Sequence, residues 1–304
     1  ERLERGTPEM NRLNGKHRSG SPGVALGAAV VLVLALCAAG AGAREEMDRQ
    51  VATAVHPAPD VDVPAADAPD AGTPDADAPD VDLLLRGYDD LYDSSGTTAR
   101  VEISIITPKK TRTLRLRLWG KGEDKALIVI DAPPRDAGTA TLKVDKNLWN
   151  YLPKIARTIR VPASMMMGSW MGSDLTNDDI VRDSSYEDDY VSEVVGRSED
   201  PPGWKVRMSA RPDAVGLWNT VEMVFAYDDG LPLMAQFFDR KDRLSRTMRF
   251  EDVKILGGRR IPTLISIVPE REEGRRTEFR YLDVEFDVEL SDDMFSLSRL
   301  ERTH

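Results

Sequence analysis

The chain has 304 residues, 41 Lys plus Arg against 52 Asp plus Glu, a net charge of −11 and 41 % hydrophobic residues. That is enough for one large domain or two small ones around an apolar core, and its acidic balance argues against nonspecific nucleic-acid binding, because phosphates are held by Lys and Arg. The three histidines are His17, His56 and His304 and the one cysteine is Cys37. All lie near the chain ends or in segments read below as outside the core, so disulfides, Cys nucleophiles, Ser-His-Asp triads and His or Cys zinc sites are not expected in the folded part. A carboxylate dyad or a Ser-Lys pair stays open on counting alone.

Residues 24–39 (VALGAAVVLVLALCAA) are an apolar run preceded by Arg12, Lys16 and Arg18 and followed by Ala41-Gly42-Ala43. A basic start, an apolar middle and an A-x-A site describe a secretory signal peptide, with Met10 as a start and cleavage after Ala43. The run is shorter than the roughly 20 residues of a membrane span. Retention as an anchor and lipidation at Cys37 are the alternatives, the latter disfavoured by the bulky Leu36 before the cysteine. Each of the three sends the rest of the chain out of the cytoplasm, to the periplasm.

Residues 44–82 read as an unstructured linker. Proline recurs at Pro59, Pro64, Pro69, Pro74 and Pro79 among Ala, Asp and Val, and residues 51–82 hold eight Asp and no Lys or Arg. Such a segment buries too little apolar area to offset its ordering entropy. In polyproline II geometry it reaches on the order of 100 Å. It serves either as a tether or as a solubilising tail.

Residues 83–304 are expected to form one domain. LLLRGYDDLY at 83–92 predicts an opening helix. Strand signals then dominate. Val101, Ile103 and Ile105 alternate; Leu114, Leu116 and Leu118 oppose Arg115, Arg117 and Trp119; Val221, Met223, Phe225 and Tyr227 repeat the pattern. LDVEFDVEL at 282–290 predicts a strand with five apolar residues on one face and four acids on the other. Turns are expected at 108–110, 121–124, 228–230, 256–258 and 272–274. A helix start is expected at Thr176 to Asp179, a capping-box spacing, and a closing helix at 291–300. Strands every 10 to 15 residues without long helices predict a mainly β (α+β) antiparallel meander that closes or curls to cover its apolar face.

The segment 147–181, NLWNYLPKIARTIRVPASMMMGSWMGSDLTNDDIV, differs from the rest. It places Met165, Met166, Met167 and Met171 around Trp170, with Gly168 and Gly172 on either side of the tryptophan. Methionine is unbranched and polarizable, so a cluster of it makes an adaptable apolar surface. It is either a mobile lid over a hydrophobic cavity or ordinary core under a loop.

Leu148 to Pro153, Arg157, Arg160, the run from Met165 to Asp174, and Thr176 to Asp179 together resemble the signature of the bacterial outer-membrane lipoprotein-sorting (LolA-like) family. The resemblance implies an incomplete, strongly curved antiparallel β-barrel with short helices over its concave apolar face. It implies a non-enzymatic periplasmic carrier of acyl chains of lipoproteins or lipids between envelope membranes, with no cofactor. On that basis Trp149, Tyr151, Met165, Met166, Met167, Trp170 and Met171 are expected to line or cover the cavity. Leu114, Leu116, Leu118, Met223 and Phe225 are candidates for its wall, although alternation alone does not say which face is concave. A monomer is expected. The alternative is a docking module for an inner-membrane transporter or envelope assembly, its interior filled by its own side chains.

Arg157 and Arg160 are candidates for a lipid headgroup or an acidic partner, or for an ordinary solvated strand face. Asp174, Asp178, Asp179 and Asp183 lack the EF-hand spacing, and helix capping accounts for Asp178 and Asp179 without a metal. No S-x-x-K or G-x-S-x-G signature occurs in the folded part, which argues against a hydrolase. No aromatic residues interleave with a basic stripe, so nucleic acid is not an expected partner.

Overall fold

The computed structural model describes residues 77–181, 189–212 and 218–302. The apolar run at 24–39, Cys37, Ala43, the linker up to residue 76, Asp183 and all three histidines lie outside the described residues. Helix α1 (Val81–Asp90) starts two residues inside the stretch read as linker, where the Asp80 side chain accepts a hydrogen bond from the Asp82 amide. Asp next to a free N–H row is a favourable start.

The described residues form thirteen strands in one antiparallel sheet. These are β1 (Thr97–Thr107), β2 (Lys110–Lys121), β3 (Lys125–Ala132), β4 (Ala140–Val144), β5 (Asn147–Leu152), β6 (Arg157–Arg160), β7 (Tyr190–Glu199), β8 (Pro202–Ala210), β9 (Trp218–Phe225), β10 (Pro232–Asp239), β11 (Leu244–Leu256), β12 (Arg259–Pro269) and β13 (Arg276–Glu285). The order across the sheet is β6-β5-β4-β3-β2-β1-β13-β12-β11-β10-β9-β8-β7. Two hairpin runs, β1 to β6 and β7 to β13, are thus joined through the β1–β13 ladder. All five expected turns fall between consecutive strands.

One apolar cluster collects side chains from nearly the whole order, from Leu148 on β5 to Tyr190 on β7. A sheet brings both its ends to one core only by curling toward that face, which is therefore concave. No ladder joins β6 to β7 among the described residues, so the barrel is incomplete. Leu114, Leu116 and Leu118 face this interior, with Met223 and Phe225 opposite them. Arg115, Arg117 and Trp119 point to the convex side, as alternation along β2 requires.

A second, smaller cluster lies on the convex side of β3 to β5: Leu127, Val129, Ala140, Leu142 and Tyr151, covered by Leu290, Phe295 and Leu300. Strand β3 is accordingly buried on both faces and reads as an unbroken apolar run, ALIVI. The closing helix expected at 291–300 is instead a 3-10 turn (Asp292–Phe295) followed by the one-turn helix α3 (Leu297–Leu300), separated by the extended Ser296 whose hydroxyl caps α3.

The strand expected over 282–290 is a correction. β13 ends at Glu285 and its apolar residues do not share a face. Leu282 is exposed, Val284 joins the concave core, and Val288 and Leu290 pack in the convex cluster. A register shift in the β1–β13 ladder pairs Arg100 with Asp283 but Val101 with Tyr281, leaving Leu282 as the extra residue. A bulge reverses the facing of every later side chain. The chain then turns at Asp287, with φ +57°, and passes to the other side.

Candidate functional site

Two covers close the concave face. At one end α1 inserts Leu85 and Tyr88, and the Tyr88 ring meets Phe225 and Phe250 edge-on at 6.3 Å. Tyr92 just beyond it stacks on Tyr281 and donates its hydroxyl to the Pro262 carbonyl at 2.7 Å. Burial, together with the neighbouring Tyr281, pushes the Tyr92 phenol well above its ordinary value, so it stays a donor throughout the physiological range.

The other end carries the Met–Trp segment. Its chain leaves β6, makes a 3-10 turn at Ala163–Met165, and reverses around Trp170 into the short helix α2 (Asn177–Val181). Several polar residues of the signature have a local task. The Trp170 amide donates to the Leu175 carbonyl at 2.7 Å, and the Ser173 hydroxyl donates back to the Trp170 carbonyl. The Asn177 side-chain amide donates to the carbonyls of Met165 and Gly168. Thr176 and Asp179 form the expected capping box reciprocally: the Thr176 amide donates to the Asp179 carboxylate at 2.7 Å, and the Asp179 amide to the Thr176 hydroxyl at 3.0 Å. Gly172 and Met171 both take positive φ, +79° and +52°, at the tip of this reversal.

This segment lies across the sheet rim where β2, β11 and β13 begin. Trp170 reaches in, 1 % exposed, and its indole N–H donates to Thr141 on β4 at 3.2 Å. Three guanidinium groups hold the backbone and acids of the segment from below. Arg112 on β2 donates to the Met171 carbonyl at 2.8 Å. Arg275 donates to Asp174, which also accepts from Thr277 on β13. Arg246 on β11 pairs with Asp179 at 3.1 Å, both side chains 6 % exposed or less. The Arg246 guanidinium also lies 4.6 Å over Trp218 and 4.5 Å over Phe237. Burial opposes the charge of Arg275, but Asp174 outweighs it and holds the guanidinium firmly protonated. Asp136 is drawn the other way: burial raises its pKa, while Arg112 and Arg135 pull it below the usual carboxylate range. These arginines are far from the segment in sequence, and residue patterns did not reveal them.

The methionines divide. Met166 and Met171 are half-buried against the concave core, while Met165 and Met167 are 59 % and 44 % exposed. Leu114, Leu116, Leu118, Met223 and Phe225 sit beneath the segment and α1, all 2 % exposed or less.

Trp149 and Tyr151 are not with this group. Both project to the convex side of β5, where Tyr151 is in the second core and Trp149 packs against it. Their strand neighbour Leu148 is the one that turns inward. Arg157 and Arg160 do not converge either. Three residues apart on β6, the edge strand, they face opposite sides, and Arg160 donates to Asn147 across the hairpin. No group of three or more His, Cys, Asp or Glu able to hold a metal gathers among the described residues. No helix among them is long and apolar enough to cross a membrane.

A family model described as "Uncharacterized protein" matches residues 122–302. No curated protein sequence matches the chain. Among solved structures, a DUF1329 family protein from Desulfovibrio piger is 26 % identical, with a TM-score of 0.65 over 72 % of this chain and 96 % of its own. A LolA superfamily protein from Nitrosomonas europaea is 20 % identical, with a TM-score of 0.61 over 73 % of this chain and 100 % of its own. A domain assigned to the outer membrane lipoprotein-sorting proteins, from Vibrio parahaemolyticus, is 20 % identical with a TM-score of 0.59 over 68 % of this chain and 92 % of its own. The fold is that of the LolA-like half-barrels.

Proposed function

The chain belongs to the family whose model spans residues 122–302, and from its LolA-like half-barrel we propose that it is a non-catalytic periplasmic carrier of acyl chains of lipoproteins or lipids. The observation that carries this reading is the arrangement of the concave face. Apolar side chains from β5 round to β7 form one surface, covered at one end by α1 and at the other by a loop with half-buried methionines, not by another sheet. An acyl chain enters when the Met–Trp segment swings away and takes the place of Trp170, Met166 and Met171 against Leu114, Leu116, Leu118, Met223 and Phe225.

The energetics allow it. A chain of about 15 carbons gains roughly 12 kcal/mol gross on leaving water, at ~0.8 kcal/mol per CH₂. From this are subtracted the cost of association and the loss of the cover's own burial, which leaves an affinity compatible with release. Weak contacts that repack suit a carrier better than directional ones, and methionine supplies them.

The burial of Leu114, Leu116, Leu118, Met223 and Phe225 beneath their covers is also what a second reading expects, in which the half-barrel stays shut and docks an inner-membrane transporter or envelope assembly through its surface. A fluorescent fatty-acid titration of the full chain separates the two. The carrier reading expects saturable binding that is abolished by Met166→Asp with Met171→Asp and kept by Tyr151→Phe. No binding to the folded wild type, with no lipid extracted from protein purified from its own envelope, selects the docking reading.

A further inference from the structure

We propose that Arg117, Arg299 and Arg302 form a binding site for a small organic anion, a phosphate monoester or carboxylate on a compact apolar body, on the convex face. The three arginines line a cavity of about 170 Å³ together with Trp119, Leu127, Val129 and Met294. Arg117 and Trp119 come from the convex side of β2, Leu127 and Val129 from β3, and the other three from the 3-10 turn and α3 region that folds over them. The site is therefore on the opposite side of the sheet from the Met–Trp segment and does not rest on the carrier reading.

Charge distinguishes this cavity from an ordinary basic surface. Cations around it meet carboxylates: Arg100 with Asp283, Arg115 with Glu102, and Lys121 and Lys125 share Asp292. Arg117 is held bidentate by Asp131 and lies 5.1 Å over the Trp119 ring. Arg299 and Arg302 break the pattern. Neither guanidinium meets a carboxylate among the described residues; Arg302 donates only to Ser298, through its carbonyl at 2.9 Å and its hydroxyl at 3.5 Å. Among the described residues, three arginines line the cavity and only Arg117 is paired with a carboxylate, Asp131.

A guanidinium presents its donors as a planar fork that fits carboxylate and phosphate oxygens. The apolar floor of Trp119, Leu127, Val129 and Met294 gives the ligand's body a surface and lowers the local dielectric, which strengthens the charge pairing. A bare inorganic ion leaves that floor wet. The adjoining cavity of about 250 Å³ beyond Trp119 and Arg117 carries Asp283 and Glu285, so an anion is directed to the α3 side. The volume suits a phenyl-sized group and not a full acyl chain.

Isothermal titration of the full chain tests this, with phenyl phosphate and benzoate as probes of the phosphate and carboxylate sources and inorganic phosphate and benzyl alcohol as controls. At low salt, one of the two organic anions saturates a single site. Inorganic phosphate binds about tenfold more weakly or worse, because it forgoes the apolar floor, and benzyl alcohol does not bind. Arg299→Gln and Arg302→Gln, both at exposed positions, each weaken the organic anion about tenfold while the circular dichroism spectrum is unchanged. Saturable binding by neither organic anion overturns the proposal. So does equal binding by the double variant or equal affinity for inorganic phosphate. Fatty-acid binding by the same variants stays as in the wild type, so failure here leaves the carrier reading standing.

Discussion

Asp179→Asn removes one charge from the pair that ties α2 to β11. The carboxylate accepts from Arg246 at 3.1 Å and from the Thr176 amide at 2.7 Å, and both partners of the ion pair are buried. Asparagine keeps a capping oxygen but removes the Asp179 charge that faces the Arg246 guanidinium. Breaking a buried pair from one side costs about 3–5 kcal/mol; the aromatic faces of Trp218 and Phe237 over the guanidinium return ~1 kcal/mol or more of that. The expected net loss is about 3 kcal/mol. For a domain of this size that lowers Tm by roughly 6–12 °C. Urea unfolding followed by tryptophan fluorescence measures it, and the cycle with Arg246→Met should show strong coupling, the double variant being more stable than Asp179→Asn alone. A loss below about 1 kcal/mol in Asp179→Asn, or additive effects in the cycle, would refute the view that this pair anchors the cover.

Trp170→Ala should release the segment without unfolding the sheet: hydrogen exchange at 163–181 rises sharply while β12 and β13 stay protected, because the indole is the largest side chain that the segment buries in the core. Gly257→Ala should destabilise by ~2 kcal/mol or more in chemical unfolding, since φ is +59° and the new methyl would come within 2.8 Å of the Phe286 ring and of the Val284 carbonyl. Stability should fall in acid partly through Glu222: burial raises its pKa, but Arg207 and Lys205 outweigh that and hold it below the ordinary glutamate range. A depressed folded pKa means the unfolded chain binds the extra proton first, so this contribution is complete above about pH 4.5 and is lost as pH falls through the folded value. Glu222→Gln should flatten that part of the Tm-against-pH curve, and an unchanged slope would contradict the assignment.

Much of the sheet is legible in the sequence because most strands have one dry face and one wet face. β2 shows this plainly, with Leu114, Leu116 and Leu118 against Arg115 and Arg117, and the glycine, proline and acidic turns mark the hairpins. Three things were not legible. The parity of β13 changes at a bulge, which local alternation cannot register, so LDVEFDVEL looked like a single uniform strand. The family resemblance groups Trp149 and Tyr151 with the methionines, whereas they pack with Leu290, Phe295 and Leu300 from the far end of the sequence. An available clue was that β3 and β5 carry apolar residues at both odd and even positions, which requires cover on two faces. The capping box at Thr176 was readable because it is local. Its anchors, Arg112, Arg246 and Arg275, were not, because surface arginines and buried arginines look alike until the sheet brings them to one rim.

The account turns on an acyl chain lying against the concave face, and photo-crosslinking addresses that contact itself. A fatty acid bearing a diazirine near its methyl end, bound to the full chain and mapped by peptide mass spectrometry, should label Met166, Met171 and the strand residues Leu114, Leu116, Leu118, Met223 or Phe225, and Trp170→Ala should change the yield. Labelling confined to convex residues such as Trp119, Trp149 or Met294, or no labelling above that of a denatured control, would contradict it.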